Sequence, residues 1–290
     1  MATDAASAKR ILVAEDDLRI RTVLARLLEA AGFEVVACRD GREALTALDA
    51  VAEADAQAGF DLVITDINMP EVDGEELLRQ IKERGLTFPV IVLTARNDPA
   101  LITECFKNDA YRFLTKPFTA EQLRGTVEAA LREASGAPGS AGAITQDDDG
   151  WVELTAPNRQ EYLDRFQAFC ETLIASRLDE RSKNELKIAV QEMGQNAIEW
   201  GNRLDTDRAI RLSYRLEADR IIIRIEDEGP GFDPGTVPDP TVDPIGTIEN
   251  REAVGKRPGG FGIHLVRKVM DTVTFNERGN VVTLEKRFTR

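Results

Sequence analysis

Between Arg10 and Glu133 short apolar runs alternate with amphipathic stretches, and this alternation restricts the fold more than any other feature of the chain. The order is ILVA, a helix near Leu18 to Ala31, FEVVA, a helix after Gly41, LVIT, a helix near Glu75 to Glu83, PVIVLT, a helix near Ala100 to Lys107, YRFL, and a helix from Ala120 to about Glu133. Five strands alternating with five helices predict an α/β domain, a doubly wound five-stranded parallel sheet. Such a sheet places its site at the carboxyl ends of the strands, where strand order switches. The polar residues there are Glu15, Asp16 and Asp17 after the first strand, Asp66 after the third, Thr94 in the fourth and Lys116 after the fifth. Clustered carboxylates repel unless a cation joins them, and an all-oxygen set suits Mg²⁺.

The runs AEDD, TDINMPEVDG, LTA and FLTKPF together resemble the receiver domain of two-component response regulators, of flavodoxin-like fold, over residues 1–133. The resemblance implies that Asp66 is the phospho-accepting nucleophile. It implies that Asp16 and Asp17 hold Mg²⁺ together with Asp66 and the backbone carbonyl of Asn68. Lys116 would offset charge on the phosphoryl oxygens and Thr94 would bond to one of them after transfer. It further implies a cis peptide between Lys116 and Pro117. The rotating aromatic of such domains aligns with Phe113, with Tyr111 outside that position; by composition Phe113 reads equally as core. The stretch Asp49 to Gly59 is longer than usual for this link and is read as a helix extension followed by a solvated turn.

Small residues, ASGAPGSAGA, and the acidic run Asp147 to Asp149 make residues 134–150 a flexible linker. Beyond it, residues 151–290 change pattern. The strand IIIRIED runs into Asp227, Gly229 and Gly231: an acid that can accept a hydrogen bond from a flat heterocycle, and glycines that let backbone approach it. A second cluster, Gly259, Gly260 and Gly262, opens a helical run whose free N–H groups would face an anion. Upstream, Leu186, Val190, Met193 and Ala197 line one face of a helix, while Glu192 and Asn196 sit four residues apart on another. With the hairpins AIRLSYRL/RIIIRIED and VTFNE/VVTLEKRF, this half predicts an α+β sandwich, a mostly antiparallel sheet covered on one face by helices. Residues 234–258, rich in proline and glycine, read as a mobile lid.

The ordered boxes EMGQNAIEWGN, IEDEGPGF and GGFGIHLVRKVMD resemble the GHKL (HATPase_c) ATPase fold of gyrase, Hsp90-type chaperones, histidine kinases and MutL. Within it, DEGPGFDP and HLVRKVMDTV look most like the anti-sigma-factor serine kinases. The resemblance implies ATP and Mg²⁺ as cofactors. Asn196 would coordinate Mg²⁺ bridging the ATP phosphates and Asp227 would read the adenine amino group. Gly229, Gly231, Gly260 and Gly262 would line the nucleotide, and Glu192 would orient or deprotonate the attacking hydroxyl. Two departures are Trp200, where the family often has a histidine, and the second glycine box, which reads GGFG without an arginine inside it.

Together the two resemblances imply a response regulator whose receiver is phosphorylated by a sensor histidine kinase or another phosphodonor. Its output would be a protein serine/threonine kinase acting on a STAS-type antagonist in sigma-factor partner switching. The alternative is a nucleotide-dependent module that sequesters a sigma factor or other partner without phosphotransfer. A formal net charge of −14 argues against a nucleic-acid partner. No apolar run reaches membrane-spanning length and MATDAASAKR lacks a signal-peptide core, so a cytoplasmic location with no membrane partner is expected. Cys38, Cys105 and Cys170 lack metal spacing and read as reduced thiols. The single histidine, His264, lies in the glycine-box helix, which argues against histidine autophosphorylation. Homodimerisation through either domain is compatible with both resemblances.

Overall fold

A computed structural model describes residues 8–54, 59–95, 98–134, 142–233 and 262–288. The chain divides into two compact units, Met1–Gly139 and Ser140–Arg290.

In the first unit β1 (Arg10–Ala14), β2 (Glu34–Cys38), β3 (Leu62–Asp66), β4 (Val90–Thr94) and β5 (Arg112–Thr115) form a parallel sheet in the order β2-β1-β3-β4-β5. The helices α1 (Leu18–Ala30), α2 (Gly41–Ala54), α3 (Gly74–Glu83), α4 (Pro99–Lys107) and α5 (Ala120–Ala134) alternate with the strands. The α/β fold expected from the alternation is the fold observed. Every residue of β3 and β4 is buried, as continuous apolar runs require in strands covered on both faces. Leu24 and Leu28 of α1 with Leu123 and Val127 of α5 pack on one face. Leu45 of α2, Leu77 and Ile81 of α3, and Cys105 of α4 pack on the other. Each such fully buried aliphatic side chain contributes about 1.5–3 kcal/mol. Strand order reverses between β1 and β3, so the loops after those strands face one crevice.

In the second unit six strands follow the order β10-β11-β9-β8-β7-β6, all antiparallel. They are β6 (Ala143–Gln146), β7 (Val152–Pro157), β8 (Ala209–Leu216), β9 (Arg220–Asp227), β10 (Thr272–Phe275) and β11 (Val281–Arg287). Among the described residues its α-helices are α6 (Gln160–Ile174), α7 (Glu180–Asn196) and α8 (Gly262–Val269). Burial alternates residue by residue along β7 and β11, the signature of a sheet packed on one face only. The α+β architecture expected for this half is present.

Part of the stretch read as linker is sheet. Residues 143–146 form β6, paired antiparallel with β7. The acidic run is the turn of that hairpin: the Asp147 carboxylate accepts the Trp151 N–H at 2.8 Å, and Gly150 adopts φ +83°. An Asx cap plus a left-handed glycine makes a tight turn from residues that composition alone marks as solvated. Residues 234–258, read as a lid, and Gly259 and Gly260 lie outside the described residues. Among the described residues no helix is long and apolar enough to cross a membrane.

Candidate functional sites

The first site forms where β1, β3, β4 and β5 end. Glu15 directly follows β1 and is 1% exposed, Asp66 ends β3 at 6%, and Thr94 ends β4 fully buried. Lys116, just past β5, donates to Glu15 Oε2 at 2.7 Å and lies 3.1 Å from Asp66 Oδ1. Its own N–H bonds to the Thr94 carbonyl at 2.7 Å, which ties the β5 loop to β4, and the Lys116–Pro117 peptide is cis. Ligand oxygens of Glu15, Asp16 and Asp66 lie within 4.8 Å of one another. Burial pushes the Glu15 carboxyl up; the Lys116 hydrogen bond opposes this and the neighbouring Asp66 charge adds to it. A divalent cation suits such a set, because it removes carboxylate repulsion that one ammonium only partly offsets.

This geometry moves the acidic pair back by one residue. Asp17, expected in the cluster, is exposed and instead caps α1, accepting from the N–H groups of Arg19 at 2.7 Å and Ile20 at 3.1 Å. Those bonds hold its carboxyl below the usual range. Such a cap satisfies backbone N–H groups that the first turn of the helix leaves without partners. Glu15 takes the place in the cluster. The signal was available: Glu15 is the first residue past the apolar run, and Asp17 stands immediately before the first periodic residue of a helix. Asn68 is exposed in the loop after β3. Phe113, half-buried, packs with Leu101 and Cys105 against the α2–α4 side of the sheet, whereas Tyr111 packs on the α1–α5 side. Gly74 was not singled out from sequence, yet a Cβ there would strike the Asp66 carbonyl, so the loop after β3 can fold back only over a glycine.

The second site gathers at the end of β9. Asp227, 9% exposed, accepts the Gly229 N–H at 2.8 Å. Burial raises its carboxyl, and the Gly229 bond and the charge of Arg278 counter this. Its backbone is clamped by Asn280, whose Nδ2 donates to the Asp227 carbonyl at 2.7 Å and whose carbonyl accepts the Asp227 N–H at 3.0 Å. Arg278 donates to the Gly229 carbonyl at 2.8 Å. Gly231, with φ +77°, packs so closely on the Arg278 carbonyl that any side chain would collide with it.

Opposite Asp227 lies a residue that sequence reasoning did not assign. After Asn196, α7 continues as a π-helical turn, Ala197–Gly201, closed by the Asn202 N–H on the Ala197 carbonyl at 2.8 Å. The wider turn carries Gly201 against the Asp227 carboxylate, and a Cβ on Gly201 or Gly229 would overlap that carboxylate. Buried Asn202 secures the arrangement: it donates to Asn158 Oδ1 at 3.1 Å and to the Ala209 carbonyl at 2.8 Å, and accepts the Glu228 N–H at 2.9 Å. Gly201→Ala is expected to displace Asp227 and destabilise the fold by about 1–3 kcal/mol, read as a lower thermal midpoint; an unchanged midpoint would mean the carboxylate is not held there.

Glu192 and Asn196, one turn apart and half-buried, face the start of α8. A Cβ built on Gly262 would lie 2.5 Å from Glu192 Oε2 and 3.7 Å from Asn196 Nδ2. The helix start, the carboxylate and the amide are thus brought together. Trp200 sits half-buried within the π turn.

Comparison with known proteins agrees with both halves. Residues 11–128 match the response regulator receiver domain and residues 156–286 match the histidine kinase-like ATPase domain. The transcriptional regulatory protein FixJ of Bradyrhizobium diazoefficiens is 34% identical over 154 residues, which are 53% of this chain and 71% of FixJ. The alkaline phosphatase synthesis transcriptional regulatory protein PhoP of Bacillus subtilis is 33% identical over 149 residues, covering 50% of this chain and 58% of PhoP. Among solved structures, a CheY-like receiver domain protein from Methanospirillum hungatei is 26% identical, covering 44% of this chain and 98% of that chain with a TM-score of 0.41. The ATPase domain match implies ATP binding. The chain belongs to the response regulators, joining a receiver domain at residues 11–128 to a histidine kinase-like ATPase domain at residues 156–286.

Proposed function

We propose that this chain is a receiver-controlled protein serine/threonine kinase whose substrate is a STAS-type antagonist in sigma-factor partner switching. A sensor histidine kinase or other phosphodonor modifies Asp66, and the state of the receiver sets the output of the ATPase domain. The observation that carries the reading is the meeting of Glu192, Asn196 and the start of α8, in a chain that also sets Lys116 against Asp66.

In the receiver, a carboxylate oxygen of Asp66 forms a bond to phosphorus as the donor's bond to it breaks. Glu15, Asp16 and Asp66 would hold Mg²⁺, with the Asn68 carbonyl as a further oxygen ligand. That ion supplies charge neutralisation on the phosphoryl oxygens. Lys116 and Thr94 would then bind those oxygens.

In the ATPase domain, Asp227 would accept from the adenine amino group, its carboxylate held by the close approach of Gly201 and Gly229. Gly262, at the start of α8, would present its backbone N–H to the phosphates, and Asn196 would hold Mg²⁺ against them. Glu192 takes the proton of the partner's hydroxyl as its oxygen bonds to the γ-phosphorus and ADP leaves.

The test is incubation of the full chain with γ-labelled ATP, Mg²⁺ and candidate STAS proteins. Acid-stable, alkali-labile label on a partner is the expected result. Nucleotide binding with no transfer to any partner would overturn the kinase and favour the sequestering module.

A further inference from the structure

Lys286 is the one charged residue on the helix-facing row of β11, where it follows Val282 and Leu284 at a spacing of two. Only 7% of it is exposed. A lysine in an apolar row is costly unless its ammonium is paired and hydrogen-bonded. Here Nζ donates to Glu185 Oε2 on α7 at 2.7 Å and to the Val269 carbonyl, the last of α8, at 2.7 Å. The side chain therefore joins β11, α7 and the carboxyl end of α8. A cation there also suits the negative end of the α8 dipole. Glu185 is held in turn by Arg181 at 2.8 Å, and these two hydrogen bonds, Lys286 first, keep its carboxyl below the usual range.

The contact at Lys286 has a counterpart at the other end of α8. Glu185 and Glu192 are seven residues apart on α7, and Gly262 and Val269 are seven apart on α8. Glu185 meets the Val269 end through Lys286, and Glu192 meets Gly262. Two helices touching at equal intervals in opposite chain directions are antiparallel and in register. With roughly 1.5 Å of rise per residue, a slip of one position at the Lys286 end would carry Gly262 away from Glu192 by a similar distance.

We infer that Lys286, through Glu185 and the Val269 carbonyl, is a positioning residue that sets the register of α8 on α7 and so the geometry of the phosphate end of the nucleotide site. The inference rests on the reading that the start of α8 faces the ATP phosphates. The adenine end, built on β9, the π turn and the β10–β11 turn, is held independently of this contact.

The experiment compares MgATP and adenosine affinities by calorimetry on the full chain and on three variants. These are Lys286→Met, the double variant Glu185→Met/Lys286→Met, and Lys286→Arg. The double variant replaces the pair with apolar side chains of similar length, a change buried ion pairs commonly tolerate, so it keeps a folded protein in the test. The expected result is a loss of MgATP affinity of about 10- to 100-fold in both methionine variants, the range for residues that orient a ligand set. Adenosine affinity stays unchanged and the arginine variant regains much of the loss. Unchanged MgATP affinity in the folded double variant overturns the inference, as does a parallel fall for MgATP and adenosine, which would make Lys286 a fold residue only. Wild-type chain that binds adenosine but gains nothing from the phosphates and Mg²⁺ would overturn the reading of the α8 start itself, and the inference with it.

Discussion

Asp66→Asn is expected to abolish phosphorylation of the receiver by a small-molecule donor such as acetyl phosphate. The amide keeps the size of the side chain and leaves the Lys116–Glu15 bond at 2.7 Å intact, so the sheet and its loops have no reason to move. What is removed is the anionic oxygen that must bond to phosphorus, and losses on deleting a nucleophile are at least about 10³-fold. Intact-protein mass spectrometry reads the outcome as the absence of a phosphoryl mass increment. Retention of the increment would transfer the acceptor role to Asp16 or Glu15, the carboxylates that share the cluster. The same variant examines coupling between the domains: transfer to the partner should stop responding to phosphodonor. A response that persists would mean the receiver acts on the ATPase domain without Asp66.

Glu192→Gln is expected to lower phosphoryl transfer to the partner by about 10²- to 10⁴-fold, the range for a positioned general base, with MgATP affinity nearly unchanged. Glutamine preserves the shape that meets Gly262, so the nucleotide pocket is not reshaped, but it cannot take up a proton. Asn196→Ala gives the contrasting result: loss of the amide oxygen should weaken MgATP itself. Single-turnover transfer and equilibrium nucleotide titration separate the two. Equal transfer by the glutamine variant and the wild type would remove Glu192 from the chemistry. If that variant retains full partner control in the absence of transfer, the output is sequestration.

The three buried thiols bear on how such assays are run. Burial pushes Cys38 and Cys105 up to about 12 and raises Cys170 well above the ordinary thiol value, so the thiols stay protonated at neutral pH.

Much of this protein is legible locally. Strand and helix periodicity predicted both sheets, because a buried face recurs every two or every 3.6 residues and so is written within one short stretch. The glycines of DEGPGF likewise marked the close-packed turn that ends β9, since a positive φ at Gly231 is a demand of a single position. Most of the residues that only the tertiary structure decided have partners far away in the chain. Glu15 rather than Asp17 joins the receiver cluster because Lys116 reaches it from 101 residues on, while Asp17 has a nearer use as a helix cap. Gly201 lies against Asp227 because the end of α7 widens into a π turn, which sequence period does not announce. Residues 143–146, four residues beside an acidic turn, become a strand because β7 offers an edge to pair with. Lys286 reads as a surface lysine until Glu185, also 101 residues away, and the end of α8 are placed around it. Local pattern sets most of the elements, because propensity and burial period act within a few residues. Which side chains converge is set by packing between elements, which a linear pattern does not encode.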